Sequence, residues 1–285
     1  MASMRDIQRR KNSITSTQQI TKAMKLVSTV KLQKTRTRAE ESRPYFDYMF
    51  RTVNSMLARS GNLDHRYLKA GGQGKKAVIV ITSNRGLAGG YNSNVVRLVT
   101  GSDLKKEDTI LYCLGRKGRE ALERKGYQVA ADYSDCMDEP KFYHAKNICR
   151  QVLEAFEAGE VSEIYLAYTS FKNTVVHIPR LMKLLPVDPN LEELEAAKQN
   201  TLMNYEPEAE TALDMIIPKY ITSLIFGALT ESVASENGAR MQAMDSATGN
   251  AEEMIENLSL LYNRARQGTI TQELTEIIAG AEAIS

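Results

Sequence analysis

Residues 82–92, TSNRGLAGGYN, bring together the residue types closest to a chemical site in this chain of 285 residues. They follow an apolar, β-branched run, AVIVIT at 77–82, and their three glycines let the backbone turn sharply before a helix begins. Nucleotide-binding sheets place a phosphate loop at this point, where N–H groups and the helix dipole hold phosphate oxygens. The spacing is not G-x-G-x-x-G, and no lysine followed by serine or threonine closes it. A tight structural turn is therefore the first reading, and nucleotide binding the second. GGQGKK at 71–76 is closer in composition, but it precedes the strand that a phosphate loop must follow.

The remaining reactive side chains are scattered. His65, His144 and His177 lack the i, i+4 spacing of a metal-binding helix. Cys113, Cys136 and Cys149 fit neither a CxxC metal site nor a paired disulfide framework, and read as free, partly buried thiols. The acid pairs Glu192/Glu193 and Glu252/Glu253 fall on helix expected to face solvent, where hydration explains them better than acid–base work. No catalytic constellation emerges, and no metal or cofactor is expected.

The turn at 82–92 needs a scaffold, and residues 61–205 supply one. Strands are expected at 77–82, 109–114, 127–131 and 164–170, with a short strand at 174–178. Helices are expected at 92–99, 116–125 and 144–158. Strands and helices that alternate with short connections indicate an open, doubly wound, Rossmann-like α/β domain.

Each end of the chain is helical and too long for a globular core. Residues 3–43 contain neither glycine nor proline, and Pro44 is expected only to kink a helix that continues to about residue 58. Its apolar positions, Met4, Ile7, Ile14, Ile20, Met24, Val27, Val30 and Leu32, form a narrow stripe like a two-stranded seam. From Lys219, after Pro218, the second helix runs to the C-terminus with apolar positions that include Tyr220, Leu224, Met241, Met244, Met254, Leu258, Leu261, Leu274 and Ile277. About 65 helical residues would extend roughly 100 Å, so this helix needs a partner along its length. Charge names the partner. Residues 1–43 carry eleven Lys/Arg against three Asp/Glu, net +8, and residues 204–285 carry four against thirteen, net −9. The expected architecture is a long antiparallel coiled coil of residues 1–60 and 206–285 with an α/β domain inserted between them. Gly227, Gly238 and Gly249, eleven residues apart, would share a face open to close approach. No apolar run of 18 residues suggests a membrane span. The basic helix lacks aromatics before Tyr45 and has an acidic partner in the same chain, so nucleic acid is the weaker reading.

QQITKAMKLVSTVKL at 18–32, SNRGLAGGYN at 83–92, ENGARMQAMDSATGNA at 236–251 and YNRARQGTITQELTEIIAGAEA at 262–283 together resemble the gamma subunit of F-type ATP synthases. The likeness covers nearly the whole chain and is most specific at ITQELTEIIAGA. It implies a non-catalytic rotor shaft, one copy per complex, inside a ring of three alpha and three beta subunits. The epsilon subunit and the c-subunit ring would lie at its foot. Proton flow through the c ring would turn the shaft and drive the beta sites through their states. By matching motifs, Met24 and Lys25 would meet the beta lever, and Arg266, Gln267 and Thr271 the beta catch. Ile277, Ile278, Ala281 and Ile284 would turn in an apolar bearing, and Tyr205 and Glu206 would stand on the c ring.

Nothing here resembles the paired-cysteine insertion of the chloroplast form, and no targeting extension precedes the shared region. The resemblance thus implies a bacterial subunit, peripheral on the cytoplasmic face of the cell membrane and touching the membrane only through the c ring. A nucleotide-binding α/β enzyme and a basic-helix nucleic-acid-binding protein are the alternatives.

Overall fold

The computed structural model describes residues 3–59, 65–69, 74–187 and 209–282. By compactness the chain forms two units, Thr29–Arg240 and Met1–Ser28 with Met241–Ser285.

The first unit is built on a five-stranded sheet of β1 (Lys75–Ile81), β2 (Thr109–Leu114), β3 (Gln128–Asp132), β4 (Val161–Phe171) and β5 (His177–Leu185). The order is β3-β2-β1-β4-β5, with β5 antiparallel to β4 and the other strands parallel. Side chains alternate across a strand, so the unbroken run in β1 serves both faces. Val78 and Val80 pack under α2 (Tyr91–Thr100) and α3 (Arg116–Glu123). Ala77, Ile79 and Ile81 face α4 (Phe142–Glu157) and parts of the two long helices, α1 (Met4–Arg59) and α5 (Ala209–Glu282).

The elements sit close to their expected places, with one displacement. The strand expected at 174–178 begins at His177, because the Asn173 side chain accepts the N–H groups of Val175 and Val176 at 2.9 and 2.7 Å and holds a turn there. Pro179 falls inside β5, opposite Thr169. An edge strand tolerates the missing donor.

The long helices depart further from expectation. α5 starts at Ala209 and runs through Pro218, although a proline in a helix interior costs about 3 kcal/mol. Leu213 and Ile217 are both fully buried, worth roughly 1.5–3 kcal/mol each, so packing offsets the break. One face of residues 213–233 belongs to the core. Leu213, Ile217, Tyr220, Ile221, Ile225, Ala228, Leu229 and Val233 form a wide stripe against the sheet, joined from α1 by Val53 and Met56. α5 also contains a stretch long and apolar enough, by length and composition, to cross a membrane, contrary to the sequence reading. Half of that stretch is buried in the protein, which marks a core helix.

In the second unit the two helices run antiparallel. Met4 lies near Thr269, Gln18 near Glu252, Thr21 near Thr248 and Lys25 near Asp245, so one number rises as the other falls. Burial recurs at alternating steps of three and four along Met4, Ile7, Lys11, Ile14, Gln18, Thr21, Lys25 and Ser28. The same steps run through Met241, Met244, Thr248, Ala251, Ile255, Leu258, Tyr262 and Ala265. This is a heptad seam. It corrects the apolar stripes read from sequence: Ile20, Val27, Met254 and Leu261 are exposed, as is Val30 in the other unit, while hydroxyl and small residues take the seam. In a sparse helix, apolar counting alone cannot fix the phase. The glycines share a face by their spacing but no common partner approaches them there. Gly227 abuts Phe46 of α1, Gly238 abuts His177 of β5, and Gly249 has nothing within 4 Å of an added Cβ.

The buried Thr21 and Thr248 hydroxyls lie 2.8 Å apart, and each also reaches a carbonyl of its own helix, on Gln18 and Met244. The two hydroxyl hydrogens can make two of these three contacts at once, one between the hydroxyls and one to a carbonyl, so each hydroxyl has a partner without water.

Two outcomes follow for chemical denaturation. Ile217→Ala should cost about 2–5 kcal/mol, whereas Ile20→Ala, at a side chain 60% exposed, should stay within about 0.5 kcal/mol. Thr21→Val and Thr248→Val should each destabilise by about 1 kcal/mol, and the double variant by less than their sum, since each single change already removes the contact the two hydroxyls share. Additive losses would mean that the two hydroxyls do not interact.

Candidate functional site

No group of three His, Cys, Asp or Glu side chains among the described residues is placed to hold a metal ion. The three cysteines are free and buried, as the spacing indicated. Burial pushes their thiols up to about 12 for Cys113 and Cys136 and about 11 for Cys149, so they remain protonated and unreactive near neutral pH. His144 Nδ1 accepts the Lys141 N–H at 3.1 Å and caps α4. Burial lowers the His177 pKa, against the opposing effect of the Thr174 backbone.

The glycine-rich turn is anchored by its own asparagines. Asn92 Oδ1 accepts the Ser83 N–H at 2.9 Å, and Asn84 donates to the Ser134 carbonyl at 2.8 Å while accepting the Arg116 N–H at 3.1 Å. Leu87 has φ 62°, a left-handed conformation that costs a non-glycine residue about 1–2 kcal/mol, and Gly89 follows at φ 54°. Against this turn lies the ENGAR stretch of α5. Glu236 and Arg240 pair at 2.7 Å with side chains only 12% exposed, and Arg240 Nη2 also reaches the Arg85 and Gly86 carbonyls at 3.5 and 3.4 Å. Desolvation raises the Glu236 pKa against the opposing pull of Arg240. Sequence reasoning singled out both motifs separately and missed their contact. The only signal was the isolated glutamate and arginine, four apart, on an otherwise small-residue face.

The helix pair presents a different kind of surface. Five of its eight α1 seam positions are polar, so the seam buries little hydrocarbon. Lys25 Nζ meets Asp245 at 2.6 Å, but both are partly exposed, and such pairs contribute about 0–1 kcal/mol. Ile20, Leu26 and Val27 meanwhile project into solvent. Beyond Thr269, α5 continues past the start of α1 at Met4, and its side chains from Arg266 to Ala281 are exposed. Ile270, Leu274, Ile277 and Ile278 form an apolar stripe on that end, the last two 68% and 59% exposed.

The described residues among those singled out by resemblance lie along the helix pair and its bare end. Met24 is half-buried beside the Lys25–Asp245 pair. Arg266 and Gln267 are exposed, and the exposed Thr271 donates its hydroxyl to the Gln267 carbonyl at 2.9 Å. Ile277, Ile278 and Ala281 lie on the bare end. Ile284, Tyr205 and Glu206 lie outside the described residues.

Comparison with known proteins agrees with this arrangement. The family model described as ATP synthase matches residues 3–284. The ATP synthase gamma chain of Lachnoclostridium phytofermentans is 66% identical, with both chains covered in full. A gamma chain of Acetobacterium woodii, described as sodium ion specific, is 41% identical over 99% of each chain. Among solved structures, a chain of the central stalk and c-ring of the Tetrahymena thermophila mitochondrial ATP synthase matches with a TM-score of 0.59 at 26% identity. That match covers 80% of this chain and 99% of the other. With end-to-end matches to family and relatives alike, the chain belongs to the ATP synthase gamma-chain family.

Proposed function

We propose that the chain is the central rotor shaft of a proton-translocating ATP synthase, non-catalytic itself, which couples rotation of the membrane c ring to conformational cycling of the beta subunits. The carrying observation is the bare end of α5. A single helix with exposed Ile270, Leu274, Ile277 and Ile278 is marginal in water and needs an enclosing apolar surface. A collar of three alpha and three beta subunits supplies one. The thin, polar seam supports the same reading, because it leaves Ile20, Leu26 and Val27 on the outside, where a collar can reach them.

Within this reading, residues 1–60 and 206–285 form the shaft and 61–205 the inserted domain. Met24 and Lys25 meet the beta lever, and Arg266, Gln267 and Thr271 the catch. Ile277, Ile278, Ala281 and Ile284 turn in the bearing, and Tyr205 and Glu206 stand on the c ring beside epsilon. The subunit is peripheral at the cytoplasmic face of a bacterial membrane, which it touches only through the c ring. The proton is our choice of coupling ion. A sodium-specific relative at 41% identity indicates that this chain does not decide it.

Reconstitution tests the role. Alpha and beta subunits mixed with the chain should form a complex on gel filtration and hydrolyse ATP faster than alpha and beta alone; no complex and no stimulation would refute it. In vesicles carrying the whole enzyme, Met244→Pro breaks a buried seam position mid-helix at about 3 kcal/mol or more. It should lower ion pumping per ATP hydrolysed more than it lowers the yield of assembled complex. Unchanged pumping per ATP would count against a helix that carries torque.

A further inference from the structure

We propose that Glu236 and Arg240 form a clasp that makes the turn at 83–92 and the adjoining stretch of α5 one rigid body, and that Arg240 is the positioning residue within it. The proposal rests on the shaft reading and adds a named element for handing torque between α5 and the α/β domain. Arg240 is the last residue of the compact unit Thr29–Arg240, after which α5 continues into the other unit. A tie at that point fixes the helix where it leaves the domain.

The geometry suits a clasp. Arg240 Nη2 carries two hydrogens. One is directed at the Glu236 carboxylate at 2.7 Å, and the other is shared between the Arg85 and Gly86 carbonyls at 3.5 and 3.4 Å. These carbonyls immediately precede Leu87, where the backbone enters the left-handed region. Further back on α5, Ser232 Oγ accepts the Thr169 N–H at 3.3 Å, Glu231 Oε2 accepts the Phe171 N–H at 3.2 Å and Ser235 donates to the Thr169 carbonyl at 3.3 Å. Those bonds hold α5 to β4, whereas Arg240 reaches the turn. Both members of the pair are nearly buried, so water competes little for the bonds.

The test uses the whole reconstituted complex with Arg240→Gln, Arg240→Lys and the double variant Glu236→Met with Arg240→Met. The double variant leaves no unpaired buried charge, so it decides the matter if Arg240→Gln does not assemble. Amide exchange over residues 84–90 should speed up about tenfold in Arg240→Gln and the double variant, with exchange in β1 unchanged. Ion pumping per ATP should fall about twofold. Arg240→Lys should keep both close to the unsubstituted complex, because an ammonium can still donate to the carboxylate and to a carbonyl. Val95→Ala, a core change on the far face of the sheet, provides the comparison of similar destabilisation. The proposal is overturned if exchange at 84–90 is unchanged in the double variant, if exchange rises while pumping per ATP does not fall, or if Val95→Ala lowers pumping as much. Failure of the shaft reading itself would differ, since the unsubstituted complex would then show no pumping to lose.

Discussion

A helix of 74 residues must find packing along its length, and α5 finds three different environments in succession. Residues 213–233 bury a wide apolar stripe against a β-sheet, residues 241–265 share a narrow heptad seam with α1, and residues beyond 269 have no α1 residue opposite them. The remainder of the structure follows from this grading. Where burial is wide, the helix absorbs a proline. Where burial is narrow, hydroxyls and alanine fill the seam. Where there is none, aliphatic side chains remain in solvent.

The grading suits a part that is anchored at one end and enclosed at the other. Strong hydrophobic adhesion inside the helix pair would have required Leu or Ile at positions now held by Lys11, Gln18, Thr21, Lys25 and Ser28. The chain instead keeps part of its apolar surface outside, at Ile20, Leu26 and Val27. In our reading the stability of the pair then depends on the collar around it, which couples assembly to folding.

The α/β domain shares its strand–turn–helix arrangement with nucleotide-binding sheets. The turn after β1 occupies the phosphate-loop position, but its carbonyls face Arg240 and its asparagines are spent on Ser83, Ser134 and Arg116. A fold shared with nucleotide-binding proteins thus says little about function until the partners of the loop are known.

Much of this was legible without coordinates. AVIVIT had to be a buried strand because both its faces are apolar. The net charges of +8 and −9 at the two ends required neither a third segment nor an external polyanion to balance them. The cysteine spacing already marked free thiols. Three features became visible only in the tertiary structure. The phase of the heptad seam depends on which helix faces which, so Thr21 and Thr248 are buried while Ile20 and Val27 are not. The passage of α5 through Pro218 depends on a sheet that lies far away in sequence, because only the burial of Leu213 and Ile217 against it outweighs the lost hydrogen bond. Arg240, paired with Glu236 four residues before it, reaches the Arg85 and Gly86 carbonyls about 150 residues away, and no local pattern encodes a contact made across that distance. Local periodicity and charge therefore determined the elements and their pairing, while long-range packing decided which face each element turned inward.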